Sequence, residues 1–140
     1  MAGDALTLQI AGWDSAASNH LCMVPDAAAY LADWRRLVVE GEAQLWAVMH
    51  EGARIGSVVW EAVADAGGGR IHVLAAGCAP IPGQSLVSVL DKTFRALAGA
   101  AGVPAIGCET VRPGMVRRLR AMGWRCEIDG PGRYFCEVRA

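Results

Sequence analysis

The stretch Ala105-Ile106-Gly107-Cys108-Glu109-Thr110, followed by Val111-Arg112-Pro113-Gly114-Met115-Val116-Arg117-Arg118-Leu119-Arg120-Ala121-Met122-Gly123-Trp124, decides how this 140-residue chain is read. The first six residues are short and mostly apolar, as a buried strand requires. Beyond them Met115, Val116, Leu119 and Met122 recur at helical spacing and leave Arg117, Arg118 and Arg120 for the polar side. Gly123 supplies the stop.

Working upstream, Leu86, Leu90, Phe94, Leu97 and Ala101 mark a second long helix with Ser85 as its N-cap. Gly102 and Pro104 end it before Ala105, so it is the crossover between that strand and an earlier one at Arg70–Ala76. Two further strands, Gln44–Met49 and Ile55–Trp60, flank the turn residues Glu51-Gly52 and are apolar on nearly every residue, which implies cover on both faces. With Arg70–Ala76, reached through Asp65–Gly69, they form a meander of three strands. From Pro25, Ala27, Tyr30, Leu31, Trp34, Leu37 and Val38 line one helical face that stops at Gly41. Ala5–Ile10 alternates as an edge strand does. Downstream, Cys126–Asp129 and Tyr134–Val138 form a hairpin about Gly130-Pro131-Gly132. The expected class is α/β (α+β): a mixed, mostly antiparallel central sheet flanked by helices, in a single domain over residues 1–140.

Hydrophobic residues make up 54% of the chain and charged residues 19%, a globular composition. The formal charge of −1 gives no general field for nucleic acid, leaving the local arginine run as the exception. Cys22, Cys78, Cys108, Cys126 and Cys136 are odd in number and lack paired ligand spacing, so they read as reduced thiols of a cytoplasmic protein. Met1-Ala2-Gly3-Asp4 does not begin a secretory signal, and apolar runs are too short to span a membrane. His20 and His50 show no partner spacing, and no metal motif is present. Trp34, Trp46 and Trp60 fall on packing faces, whereas Trp13 lies in a loop-like region.

The order strand, helix, meander, glycine turn, helix, strand, helix, hairpin resembles the GNAT acetyltransferase superfamily over nearly the whole chain. The closest local likeness is the penultimate helix, where the family pattern Asn-x-x-Ala-x-x-x-Tyr-x-x-x-Gly-Phe falls on Arg112, Met115, Leu119, Gly123 and Trp124. Gly123 matches and Trp124 is an aromatic substitute. Leu119, however, stands where many members carry the tyrosine that protonates the departing CoA thiolate, and it has no proton to give. Arg112 replaces the asparagine. In the pyrophosphate turn only Gly83 matches, with Cys78 at the basic position and Ile81 at the first glycine. Pro80 and Pro82 each remove a donor.

The resemblance implies an N-acyltransferase moving an acetyl or other acyl group from acyl-CoA to an amine. Backbone N–H groups around Leu74, Ala75 and Ala76 would polarise the thioester carbonyl, and those of Gly83, Gln84 and Ser85 would hold the CoA phosphates. Glu109, near the end of the crossover strand, is the first candidate base, against the alternative that Arg112 or another arginine neutralises it. Glu61 is the second candidate. His72 is a third, as a proton relay, against a structural hydrogen-bonded role. The acceptor would be a small-molecule or protein amine. Leu119, the prolines and the apolar fraction support a competing expectation: a catalytically inactive assembly or interaction subunit, as in phage accessory proteins, with a homo-oligomer among its partners. Arg117, Arg118 and Arg120 could meet the CoA ribose phosphate or a nucleic-acid backbone, or simply form a solvated helix face.

Overall fold

A computed structural model describes residues 6–80 and 83–140. Its elements are β1 (Thr7–Ala11), α1 (Ser15–Leu21), α2 (Ala27–Val39), β2 (Gln44–His50), β3 (Ala53–Val63), β4 (Arg70–Cys78), α3 (Leu86–Ala101), β5 (Ala105–Thr110), α4 (Pro113–Ala121), β6 (Arg125–Ile128) and β7 (Tyr134–Arg139). The seven strands form one sheet in the order β1-β2-β3-β4-β5-β7-β6. The mixed class expected from the sequence is the one observed, with four helices among the described residues. No helix among the described residues is long and apolar enough to cross a membrane. Ala5, Ile81, Pro82 and the start at Met1-Ala2-Gly3-Asp4 lie outside the described residues.

The chain divides into two compact units, and β4 passes from one to the other between Val73 and Leu74. The first unit comprises the chain up to Glu61 together with Leu74–Leu86. Here β2 pairs antiparallel with β1 and with β3, in registers such as Leu8↔Val48 and Ala47↔Ser57. Its core collects Leu21, Trp34, Leu45, Val59 and Ala75, with Trp13 and Leu74 packed at the margin. Trp13 is therefore half-buried, and its indole N–H donates to Ser18 Oγ at 3.1 Å. Trp46 and Trp60 meet edge to face, 5.2 Å between ring centres. Helix α1 is an addition to the sequence reading. Asp14 caps it by accepting from the Ala17 N–H at 2.9 Å, and Ala17 and Leu21 bury its one apolar edge. Helix α2 begins at Ala27 rather than Pro25, because Asp26 takes a left-handed conformation (φ 66°) that interrupts the helical path.

The second unit comprises Ala62–Val73 and Val87–Ala140. Arg70–Val73 pair in parallel with Ala105–Cys108, as the crossover through α3 demands, and the ladder ends at Val73↔Cys108, where β4 leaves this unit. On its other side β5 pairs antiparallel with β7, which pairs with β6. Phe94, Ala98, Ile106, Val116 and Leu119 are buried. The end of α4 is a tie to α3. Gly123 adopts φ +91°, which lets the Trp124 N–H reach the Leu119 carbonyl at 2.9 Å. The Trp124 indole N–H then donates to Asp91 Oδ1 at 2.6 Å, and Arg95 links Asp91 to the Met122 carbonyl.

Candidate functional site

In the first unit the residues proposed for cofactor contact follow one another along β4 and its exit. Ala75 is buried, and Leu74 and Ala76 are half-buried. Two glycines set the close packing around this strand. A Cβ on Gly56 would stand 2.6 Å from the Gly77 carbonyl oxygen, and one on Gly77 would run into the His20 carbonyl at the end of α1. The exit from β4 is fixed by the Ala79 N–H donating to the Ile55 carbonyl at 3.0 Å. Burial pushes the Cys78 thiol up, so the residue at the turn's basic position is a neutral thiol, donating to the Ala79 carbonyl. Gly83 is exposed in the left-handed region (φ +76°), with open space where a side chain would be. Gln84 and Ser85 are half-buried, and α3 starts at the next residue.

Beside β4 lies a polar network that spacing along the chain could not reveal. His20 Nδ1 is 2.9 Å from Ser57 Oγ, and Ser57 is fully buried. Arg54 donates to Ser57 Oγ at 2.9 Å and to Asp14 Oδ2 at 2.7 Å. Burial lowers the His20 pKa first and the Arg54 charge adds to this, with Asp14 opposing. The Asp14 carboxyl is lowered chiefly by the Ala17 N–H it accepts from, with Arg54 contributing. His20 is thus held neutral through contacts 37 and 34 residues away in sequence.

In the second unit, His72 and Glu109 sit in different surroundings. His72 is 7% exposed, its ring stacked on Phe135 at 6.3 Å, with the Arg70 guanidinium 5.3 Å from the same phenyl ring. Arg70 Nε donates to His72 Nδ1 at 3.3 Å, which assigns the ring proton to Nε2. Burial, then Arg70, lowers its pKa against the pull of Glu109. The ring therefore has no free lone pair with which to relay a proton. Glu109 is partly exposed and accepts from Arg133 Nη1 at 3.3 Å. The arginine that meets it is the one preceding β7, while Arg112 turns its backbone N–H to Thr110 Oγ1. Glu61 is half-buried inside β3, which continues two residues past it to Val63 instead of ending there, and among the described residues it has no ion pair.

Leu119 is 3% exposed on the inner face of α4, an apolar plug at the position that would need a proton donor. The cysteines of this unit form a row across three strands, Cys108↔Cys136↔Cys126, all free thiols. Burial, then the thiol hydrogen bond with Cys136, pushes the Cys126 thiol up to about 12. The Cys136 thiol is raised as well, first by its hydrogen bond with Cys108 and then by burial. The Cys126 and Cys136 thiols stay protonated and act as core groups rather than nucleophiles. Among the described residues no cluster of three histidine, cysteine or carboxylate side chains is arranged to hold a metal ion.

No family model and no curated protein matches the sequence. Solved structures do. A Bacillus subtilis acetyltransferase in complex with CoA superposes with a TM-score of 0.74 at 8% identity, covering 97% of this chain and 99% of that one. A GNAT family acetyltransferase from Elizabethkingia anophelis with acetyl-CoA bound gives 0.72 at 11% identity, with 96% and 98% covered. The GNAT domain of S. lividans PAT gives 0.67 at 16% identity over 99% and 98%.

Proposed function

We propose, from the premise that this chain has the GNAT fold, that it is a cytoplasmic N-acyltransferase transferring an acetyl or other acyl group from acyl-CoA to a small-molecule or protein amine. The observation that carries the reading is the end of the parallel ladder at Val73↔Cys108, beyond which β4 continues for five residues toward the Gly83 turn. The co-substrate supplies a thioester whose carbonyl carbon takes the amine nitrogen and whose sulfur leaves as thiolate. The backbone N–H groups of Leu74, Ala75 and Ala76 are proposed to face that carbonyl oxygen. Gly83, Gln84 and Ser85 would offer N–H groups to the phosphates, a role the open, left-handed Gly83 fits. Glu109 is the proposed base, with Glu61 the second candidate, because each is a solvent-accessible carboxylate. His72 ranks behind them, since Arg70 occupies its one lone pair. With Leu119 apolar, the leaving thiolate would take its proton from water.

A non-catalytic reading, an assembly subunit forming a homo-oligomer, is favoured by the Leu119 plug and by exposed apolar side chains. Ile10 and Val39 of the first unit are 80% and 68% exposed, and Ile128 of the second is 76% exposed. Thiol release from acetyl-CoA with a panel of polyamines, amino acids and lysine peptides separates the two. Amine-dependent release that falls at least about tenfold in Glu109→Gln supports the enzyme. Acetyl-CoA binding without release by any amine supports the subunit.

A further inference from the structure

One end of the second unit carries two exposed surfaces of opposite charge. Thr110, Tyr134 and Ile128 stand in a single row across β5, β7 and β6, and α4 starts three residues past Thr110, so the tip of the β6–β7 hairpin and the first turn of α4 share this end. On α4, Arg112, Arg117 and Arg118 are exposed and, among the described residues, none has a carboxylate within ion-pair distance. They rim a groove of about 710 Å³ with Val87, Met115 and Ala121 among its walls, and among the described residues no acidic side chain lines it. Every one of these residues belongs to the second unit.

At the hairpin, Ile128 is 76% exposed, and among the described residues it is the one large apolar side chain of this unit left in solvent. Exposed carboxylates flank it on both sides, Glu127 and Asp129. Asp129 has no ion pair among the described residues, and Glu127 has only the surface pair with Arg125 at 3.5 Å, which is worth little. Strand addition is not what this edge offers, because Arg120 Nη2 donates to the Cys126 carbonyl at 2.8 Å and caps the middle of β6. A partner here meets side chains.

The two surfaces match in kind: an apolar side chain between two carboxylates, and apolar walls beneath three guanidinium groups. A polyanion would satisfy the arginines but leave Ile128 in water, whereas a second copy of the chain covers both. Since tip and groove share one end, a two-fold axis there makes the contact twice, and one three-residue tip alone falls short of the area a specific interface needs. We infer that the chain forms a two-fold dimer in which the Glu127-Ile128-Asp129 tip of each protomer enters the arginine groove of its partner. The inference is independent of the acyltransferase reading, since dimer and enzyme are compatible.

Sedimentation equilibrium of the full chain tests it. The wild type should dimerise with a Kd on the order of 10–100 µM, as suits an interface at the small end of the size range, and raising salt from about 0.05 M to about 0.5 M should weaken it about tenfold. Arg117→Glu/Arg118→Glu and Glu127→Arg/Asp129→Arg should each be monomeric alone, because like charges then meet at both contacts. Mixed one to one, the two variants should form a heterodimer, because opposite charges then meet at both contacts; its formation also shows that both are folded. Ile128→Ser should weaken the wild-type dimer about tenfold, and Ile10→Ser, an equally exposed change in the first unit, should leave it unaltered. A wild type monomeric at about 500 µM, a dimer that survives both charge reversals or is broken by Ile10→Ser instead, or a mixture that stays monomeric overturns the inference. So does a monomer whose arginines bind a single-stranded oligonucleotide. None of these results bears on thiol release from acetyl-CoA, which tests the acyltransferase reading separately.

Discussion

Each unit holds a histidine beside an arginine, and in each burial first and the arginine second keep the ring neutral, yet the two histidines differ in what they can still do. His72 is sealed by Phe135 and gives its Nδ1 lone pair to Arg70. His20 is half-buried and meets the Ser57 hydroxyl, which can donate or accept, so either tautomer satisfies the contact. The surrounding backbone differs too. Gly77 faces a main-chain carbonyl at the end of α1, whereas Gly107, opposite His72, faces the flexible Cδ of Arg70 at 3.0 Å. Polar groups of similar make-up are thus held rigidly in one unit and by adaptable side chains in the other.

The largest effect should come from the rigid wall. Gly77→Ala forces α1 away from β4 and should cost about 3 kcal/mol in urea unfolding, while Gly107→Ala should cost below about 1 kcal/mol because Arg70 can move aside. Equal losses would erase the contrast. Next, Arg54→Ala should cost about 2 kcal/mol, since it leaves the buried Ser57 hydroxyl with one partner and Asp14 without its cation. A loss no greater than that of Arg36→Ala, whose pair is exposed, would mean the network contributes nothing.

The smallest effect is a pH slope, with a definite sign. A histidine whose folded pKa lies below its unfolded value of 6.5 binds fewer protons when folded, so its contribution is complete above pH 6.5 and is lost as pH falls toward the folded pKa. Stability should therefore decline from neutrality toward pH 5, by at most about 1.4 kcal/mol per pH unit for His72. His72→Gln should flatten this slope more than His20→Gln, because solvent screens the half-buried ring. Asp14 and Asp65, also lowered, lose their contributions only below their ordinary value of 3.8, in a separate window. A greater flattening by His20→Gln would reverse the ranking.

Much of the fold was legible because it rests on local pattern. β5 spans the six residues expected, and α3 begins after Ser85 and ends before Gly102, where propensity, capping and breakers agree. Gly123-Trp124, which carried the resemblance, is a helix stop and a tie to Asp91, a packing device that says nothing of catalysis. Helix α1 escaped the reading because only Ala17 and Leu21 mark its apolar face, although Asp14 followed by Ser15-Ala16-Ala17 is a capping signal that could have located it. The partners of the candidate residues were illegible for a different reason. Arg133 reaches Glu109 only after β5 and β7 pair, and Arg54 meets Asp14 from 40 residues away, so neither partner is marked by local spacing.

Amide hydrogen exchange with and without acetyl-CoA tests the central claim most directly, because it reads the β4 backbone itself. The account predicts slower exchange at Leu74–Ala76 and at Gly83–Ser85 on adding the cofactor, with Ile71–Val73, already inside the ladder, unchanged. Unaltered exchange over both segments at about 1 mM acetyl-CoA, the upper end of ordinary substrate affinity, would contradict it.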